Sequence, residues 1–180
     1  MAKKPAARAA QANARAKARV SEETCVECGQ KKKCDAKLPE DETTRKVALT
    51  TFAEAGGTSS QAEFTAVASV MHNRVGKAGF GNAQTVDGVL SKTYYDKRAG
   101  VRKYEFHGYQ NARYKKGESG DLEPGDCEAL KRAIAAAEDI QKNGVPAEYK
   151  DYTFFAAANA VSDKSRGTVI GKTIFGNKQF

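Results

Sequence analysis

Histidine is scarce in this 180-residue sequence, with two residues, His72 and His107. There is no H-E-x-x-H pair, which excludes the helix-borne zinc site of a metalloprotease. Long apolar runs are missing too. No segment reaches the ~20 apolar residues that a bilayer-spanning helix needs, and the N-terminal stretch lacks the continuous apolar centre of a general secretory signal. Membrane insertion is therefore not expected, and action outside the producing cell would need another route. No internal repeat is visible, and no cofactor is expected. Acidic residues are absent from residues 1 to 20, where six bases lie (Lys3, Lys4, Arg8, Arg15, Lys17 and Arg19). Those six leave only +2 of the net charge of +8 for the rest of the chain. The sequence thus reads as a nearly neutral globule behind a basic tail, so the overall charge says little about the globule's ligand. The tail reads as a solvated, disordered arm. A basic amphipathic or transit-like helix and a nucleic-acid-binding arm are its alternatives.

Cysteine is also sparse, and three of the four cysteines cluster in "CVECGQKKKC" as Cys25, Cys28 and Cys34. A closed zinc site takes four Cys or His ligands, usually as two close pairs. Only three are local here and His72 is distant, so a structural zinc site is incomplete. A disulfide closing the small loop and free thiols are the other readings. Cys127 opens a later helix on its apolar side, where a buried thiol is expected. A position near a helix N-terminus also lowers a thiol pKa, as a nucleophile requires. A peptidase or amidase using Cys127 with His107 is therefore one competing function, although that chain order is not the papain-like one.

The hydrophobic fraction of 40% is enough for a core. "LPEDETTRKVALTTFAEAGG" reads as a helix with acids 40 to 42 at its start and Gly56–Gly57 at its end. Ser60 and Glu63 form a capping box for the next helix, whose Phe64, Val67, Ala68, Met71 and Val75 share one face. A third helix spans about 126 to 143, with Leu130, Ala133, Ile134 and Ala137 inward. Residues 76 to 125 are less regular, with a short helix at Val86 to Leu90. Two strand-like runs, "DYTFFAAA" and "TVIGKTIF", follow. The expected organisation is a basic tail and Cys segment over 1–37 and one α+β domain, mainly helical with a small β component, over 38–180.

Two features carry chemistry. From Val47 to Asn73 there is no Lys or Arg, and the only acids are Glu54 and Glu63, the second taken by the cap. Glu54 falls in the last turn of its helix, among Phe52, Ala53, Ala55 and Gly56. The dipole and desolvation both push its pKa upward there, and a carboxyl protonated near neutral pH can serve as a general acid. An exposed glutamate at a frayed helix end is the plainer reading. The second feature is aromatic: Tyr94, Tyr95, Tyr104, Tyr109 and Tyr114, five of the seven tyrosines, fall within 21 residues. With Phe106, His107, Gln110, Asn111 and Arg113 among them, the loop has the content of a sugar-binding cleft. Such rings also stack nucleobases, so a nucleic-acid-binding module built from tail, Cys cluster and loop is a third function class. Rings covering the core are the remaining reading.

"FAEAGGTSSQAEFTAVASVMHNRV" resembles the start of the catalytic domain of spore-cortex-lytic bacterial cell-wall hydrolases. There a helix ending in Glu-Ala and a glycine-containing turn precede a helix ending in Asn-Arg-Val. "GFGNAQTVDGVL", "YEFHGY", "YTFFAAAN" and "VIGKTIF" continue the resemblance in order, over roughly residues 45 to 176. It implies a lysozyme-like α+β fold that cleaves the glycan strand of peptidoglycan, as a muramidase or lytic transglycosylase. Glu54 would be the catalytic acid, and Asn73 and Arg74 would have a structural role. Substrate contacts are expected from Tyr94, Tyr104, Phe106, His107, Tyr109 and Gln110. Glu105, where relatives carry an uncharged residue, is the candidate second carboxylate. A second acid ~5–5.5 Å from the first would favour retention and one ~6.5–9.5 Å away inversion. With none, the sugar's own 6-hydroxyl would attack. Two departures stand out: Gly57–Thr58–Ser59 replace the family's further acid, and the tail and Cys segment have no counterpart. These point to a type VI secretion effector acting in the periplasm of a target bacterium and blocked by a cognate immunity protein, with a phage lysin as the alternative.

Overall fold

The computed structural model describes residues 33–180. The basic tail, Cys25 and Cys28 lie outside the described residues. Helix α1 (Glu42–Ala55) begins at Asp41, whose carboxylate accepts from Thr44 N at 2.7 Å and satisfies one of the amides that every helix start leaves unpaired. Helix α2 (Gln61–Asn73) begins at Ser60, whose hydroxyl accepts from Glu63 N at 3.2 Å. The Glu63 carboxylate is turned inward, 1% exposed, and accepts from Thr173 Oγ1 at 2.5 Å. The carboxylate is thus a tertiary anchor, and only the backbone N–H of Glu63 serves the cap, so the expected capping box is half formed.

Short α3 (Val86–Leu90) leads into a hairpin of β1 (Thr93–Asp96) and β2 (Val101–Tyr104), followed by α4 (Ala112–Ser119) and the long α5 (Pro124–Asn143). Helix α1 is the centre of the helical layer, packed against α2, α4 and α5. Phe52, Leu49, Phe64 and Leu130 are fully buried there. A second antiparallel sheet closes the chain, with β5 (Thr173–Gly176) between β3 (Phe154–Ala157) and β4 (Thr168–Ile170). Ile174 and Phe175 of β5 are fully buried. The arrangement is α+β and mostly helical. Among the described residues no helix is long and apolar enough to cross a membrane.

The cysteine readings need correction. Cys34 is bonded to Cys127 across a sequence separation of 93, with Cα atoms 5.4 Å apart. Cys34 is therefore neither a zinc ligand nor closed onto its local cluster, and Cys127 is no free buried thiol. Cys34 N also donates to Gly120 O at 3.0 Å, and Ala36 and Leu38 pack against the core. Residues 33–37 therefore belong to the compact unit Lys33–Phe180.

Candidate active site

Glu54 occupies the last turn of α1 and is half-buried. Its Oε1 accepts from the backbone N–H of Gly108 at 2.5 Å. Burial pushes its carboxyl above the ordinary glutamate value. The Gly108 N–H, and the fields of His107 and Arg74, oppose that shift without cancelling it. The glycine is a steric requirement: a Cβ at 108 would come within 2.9 Å of Glu54 Cγ, 3.0 Å of Ala53 Cβ and 3.0 Å of Thr50 O. Gly108 was not singled out from sequence. The signal available was its place in "YEFHGY", directly after an aromatic run.

The turn after Glu54 is tied down from several sides. Ser59 Oγ donates to Ala55 O, and Ser59 O accepts from Arg132 Nη1 of α5 at 3.1 Å. Arg113 lies over the Phe52 ring at 4.4 Å and pairs with Asp126 at 2.7 Å. Gly57 sits against that pair, since a Cβ there would be 3.0 Å from Asp126 Oδ1.

Arg74, at the end of α2, is buried and donates through Nε to Thr153 O at 2.7 Å. Its neighbour Asn73 donates to Tyr149 O and Tyr152 O at 2.7 and 2.8 Å, so the helix end pins the segment entering β3. The guanidinium lies 4.5, 4.7 and 5.4 Å from the ring centroids of Phe80, Phe106 and Phe154. Burial pulls its pKa down, while Glu105 and Glu54 raise it. The two candidate carboxylates thus act on one arginine. Glu105 Oε1 pairs with Lys92 Nζ at 2.8 Å and Oε2 with Arg74 Nη1 at 3.6 Å. With a cation on each oxygen, Glu105 is better arranged to anchor Arg74 than to activate water.

The expected substrate residues separate into three groups. Tyr104, His107, Tyr109 and Gln110 line one cavity of about 420 Å³, with Lys103 and Asn111. Tyr109 is mostly buried beneath Tyr104, their rings meeting edge-on at 4.9 Å. Tyr94 lines a second cavity of about 490 Å³ beside Arg74 and Glu105, and its hydroxyl is 3.1 Å from His107 Nε2. Phe106 belongs to neither group and must be corrected. At 1% exposure it is core, with Arg74 against its ring and Phe155 at 6.2 Å. Glu54 lines neither cavity: it is bonded to Gly108, the residue after His107 of the first, and lies within the field of Arg74 of the second.

No known protein family, curated protein or solved structure matches this chain. Any function must therefore be argued from the site. The Cys127–His107 pairing loses its nucleophile, because Cys127 is held in the disulfide. Of the nucleic-acid module, the basic tail, Cys25 and Cys28 lie outside the described residues, and two of its loop tyrosines, Tyr109 and Tyr114, are buried. What remains is a partly buried carboxyl of raised pKa, within the fields of an arginine and a histidine that each line a tyrosine-bearing cavity. That arrangement suits proton delivery to a poor leaving group.

Proposed function

We propose that this protein cleaves the glycan strand of bacterial peptidoglycan between N-acetylmuramic acid and N-acetylglucosamine, with Glu54 as the general acid. The observation that carries this reading is the Glu54 carboxyl, its pKa raised by burial and its Oε1 held by the N–H of Gly108, next in sequence to His107 of the tyrosine-lined cavity. A glycosidic oxygen leaves readily only once protonated, and a rigid, neutral carboxyl supplies that proton. Tyr104, His107 and Gln110 would hold the sugar rings, with Tyr109 backing Tyr104.

The double pairing of Glu105 supports a route without a second carboxylate. Glu54 gives its proton to the glycosidic oxygen as the bond from that oxygen to the anomeric carbon breaks. The muramyl 6-hydroxyl oxygen then bonds to the anomeric carbon and returns its proton to Glu54. The product is an anhydro-sugar end, one water lighter than the hydrolytic product. Digestion of purified sacculi with mass analysis of the fragments tests both points. New glycan ends support the reading, free peptide termini overturn it, and a reducing muramic acid end would restore Glu105 as the second acid.

The Cys34–Cys127 bond favours an oxidising compartment. It suits a toxin delivered into the periplasm of another bacterium, where a cognate immunity protein would protect the producer's kin.

A further inference from the structure

The β4–β5 turn carries features that the proton-donor site does not use. Glu63 is buried at 1% exposure beneath this turn and accepts from Thr173 Oγ1. Gly171, with φ +61°, presses on the same carboxylate: a Cβ there would collide with Glu63 Oε2 and lie 3.0 Å from Cδ. The turn is therefore fixed on the start of α2 and projects Lys172 back toward the glutamate turn. Lys172 Nζ donates to Thr58 Oγ1 at 2.9 Å, and Thr58 follows Glu54 by four residues. Beside Lys172 lies a cavity of about 500 Å³, lined by Ala157, Ala158, Asn159, Lys164 and Lys172. A backbone bond from Ala158 N to Lys172 O at 2.8 Å joins two of its lining residues, and its polar side chains are one amide and two ammonium groups with no acid. The neighbouring acid, Asp163, is occupied by Ser165 N and Oγ at 3.0 and 2.6 Å.

We propose that this cavity is a carboxylate subsite that takes the peptide stem carried by the muramyl sugar, an assignment that rests on the glycan-cleaving reading above. On peptide-bearing strands the muramyl lactyl carboxyl is taken up in the amide bond to the stem, so the carboxylates a strand offers are those of the stem peptides. Lys164 and Lys172 provide two ammonium donors and Asn159 an amide donor. The hydrogen bond to Thr58 joins the subsite to the turn that follows the proton donor, so a bound stem would place the muramyl unit in register with Glu54. The enzyme would then prefer strands that still bear peptides over bare strands.

The test uses the full chain carrying Glu54→Gln, so that binding is read without turnover. Three ligands are compared: peptide-bearing strands, the same strands with stem carboxylates converted to amides, and strands stripped of peptide whose freed lactyl carboxylates are likewise converted to amides. The expected result is tightest binding to the first, and a further Lys164→Ala or Lys172→Met change should weaken it about three- to ten-fold. That difference should shrink as salt is raised. Equal affinity for all three ligands, or no effect of either lysine change in a folded protein, overturns the subsite. Lysine-dependent binding alongside an unmutated protein that cleaves no strand would uphold the subsite and overturn the glycosidase reading. Affinity that survives amidation but falls on stripping would show that the cavity reads peptide bulk rather than charge, and would also overturn the proposal.

Discussion

Among the described residues Glu54 makes one side-chain hydrogen bond, to the Gly108 amide, and each of the two residues makes a separate prediction. Glu54→Gln keeps the shape of the side chain and removes the proton. Glycan cleavage should fall by at least ~10²-fold, the lower end of what a positioned general acid contributes, with a normal fold by circular dichroism. The raised pKa also has a sign that can be worked out. The fold prefers the neutral carboxyl, so its stabilising contribution is complete below the ordinary value of 4.5 and is lost as pH rises through the raised one. Activity of the unmutated protein should fall over the same upward range. Melting temperature relative to Glu54→Gln, measured across pH, should decline in that direction. Gly108→Ala forces a Cβ against Glu54, Ala53 and Thr50 and should destabilise by about 1–3 kcal/mol. Because the Gly108 N–H favours the charged carboxylate, its displacement should move the alkaline limb of activity to higher pH, a shift that simple destabilisation would not produce.

The β1–β2 hairpin and the segment after it divide their rings between surface and core. Tyr104 is 36% exposed while Phe106, two residues on, is 1% exposed. Tyr104→Ala should therefore cost ~1 kcal/mol or less, chiefly the edge-on contact with Tyr109, and weaken binding of glycan strands. Phe106→Ala should instead cost about 3–5 kcal/mol in urea denaturation. Sequence could not separate the two, because both are aromatic and neither lies in a periodic pattern. The hairpin itself was illegible for a related reason. All four residues of β2 are exposed, so no inside–outside alternation marks it as a strand. Helix α4, "ARYKKGES", buries only Tyr114 and Gly117 and so shows no apolar face. Helices α1, α2 and α5 were readable because caps, glycine stops and apolar faces agreed. Glu54 stands out as a candidate in sequence because it is one of two acids in a run without Lys or Arg. The Gly108 partner, the pairing of Glu105 and the Cys34–Cys127 bond depend on contacts between distant segments, which spacing does not reveal.

At the level of the whole molecule, the disulfide decides where the protein can be shortened. Removal of residues 1–32 should leave melting temperature and glycan cleavage close to those of the full chain. Removal of residues 1–36 deletes Cys34, and like Cys34→Ser should lower stability by about 2–5 kcal/mol, read as a drop in the urea midpoint. The bond also makes a closed ring of the chain from residue 34 to residue 127. Glu54, Arg74, Glu105 and Gly108 all lie inside that ring, whereas Lys164 and Lys172 lie outside it. A protease that cuts once within the exposed tip of the hairpin, between Asp96 and Val101, would thus not release a fragment. The nicked protein should migrate as a single species on a denaturing gel until a thiol reductant is added, then separate into two. A cut near Lys164 should shed its C-terminal piece under the same denaturing conditions with no reductant at all.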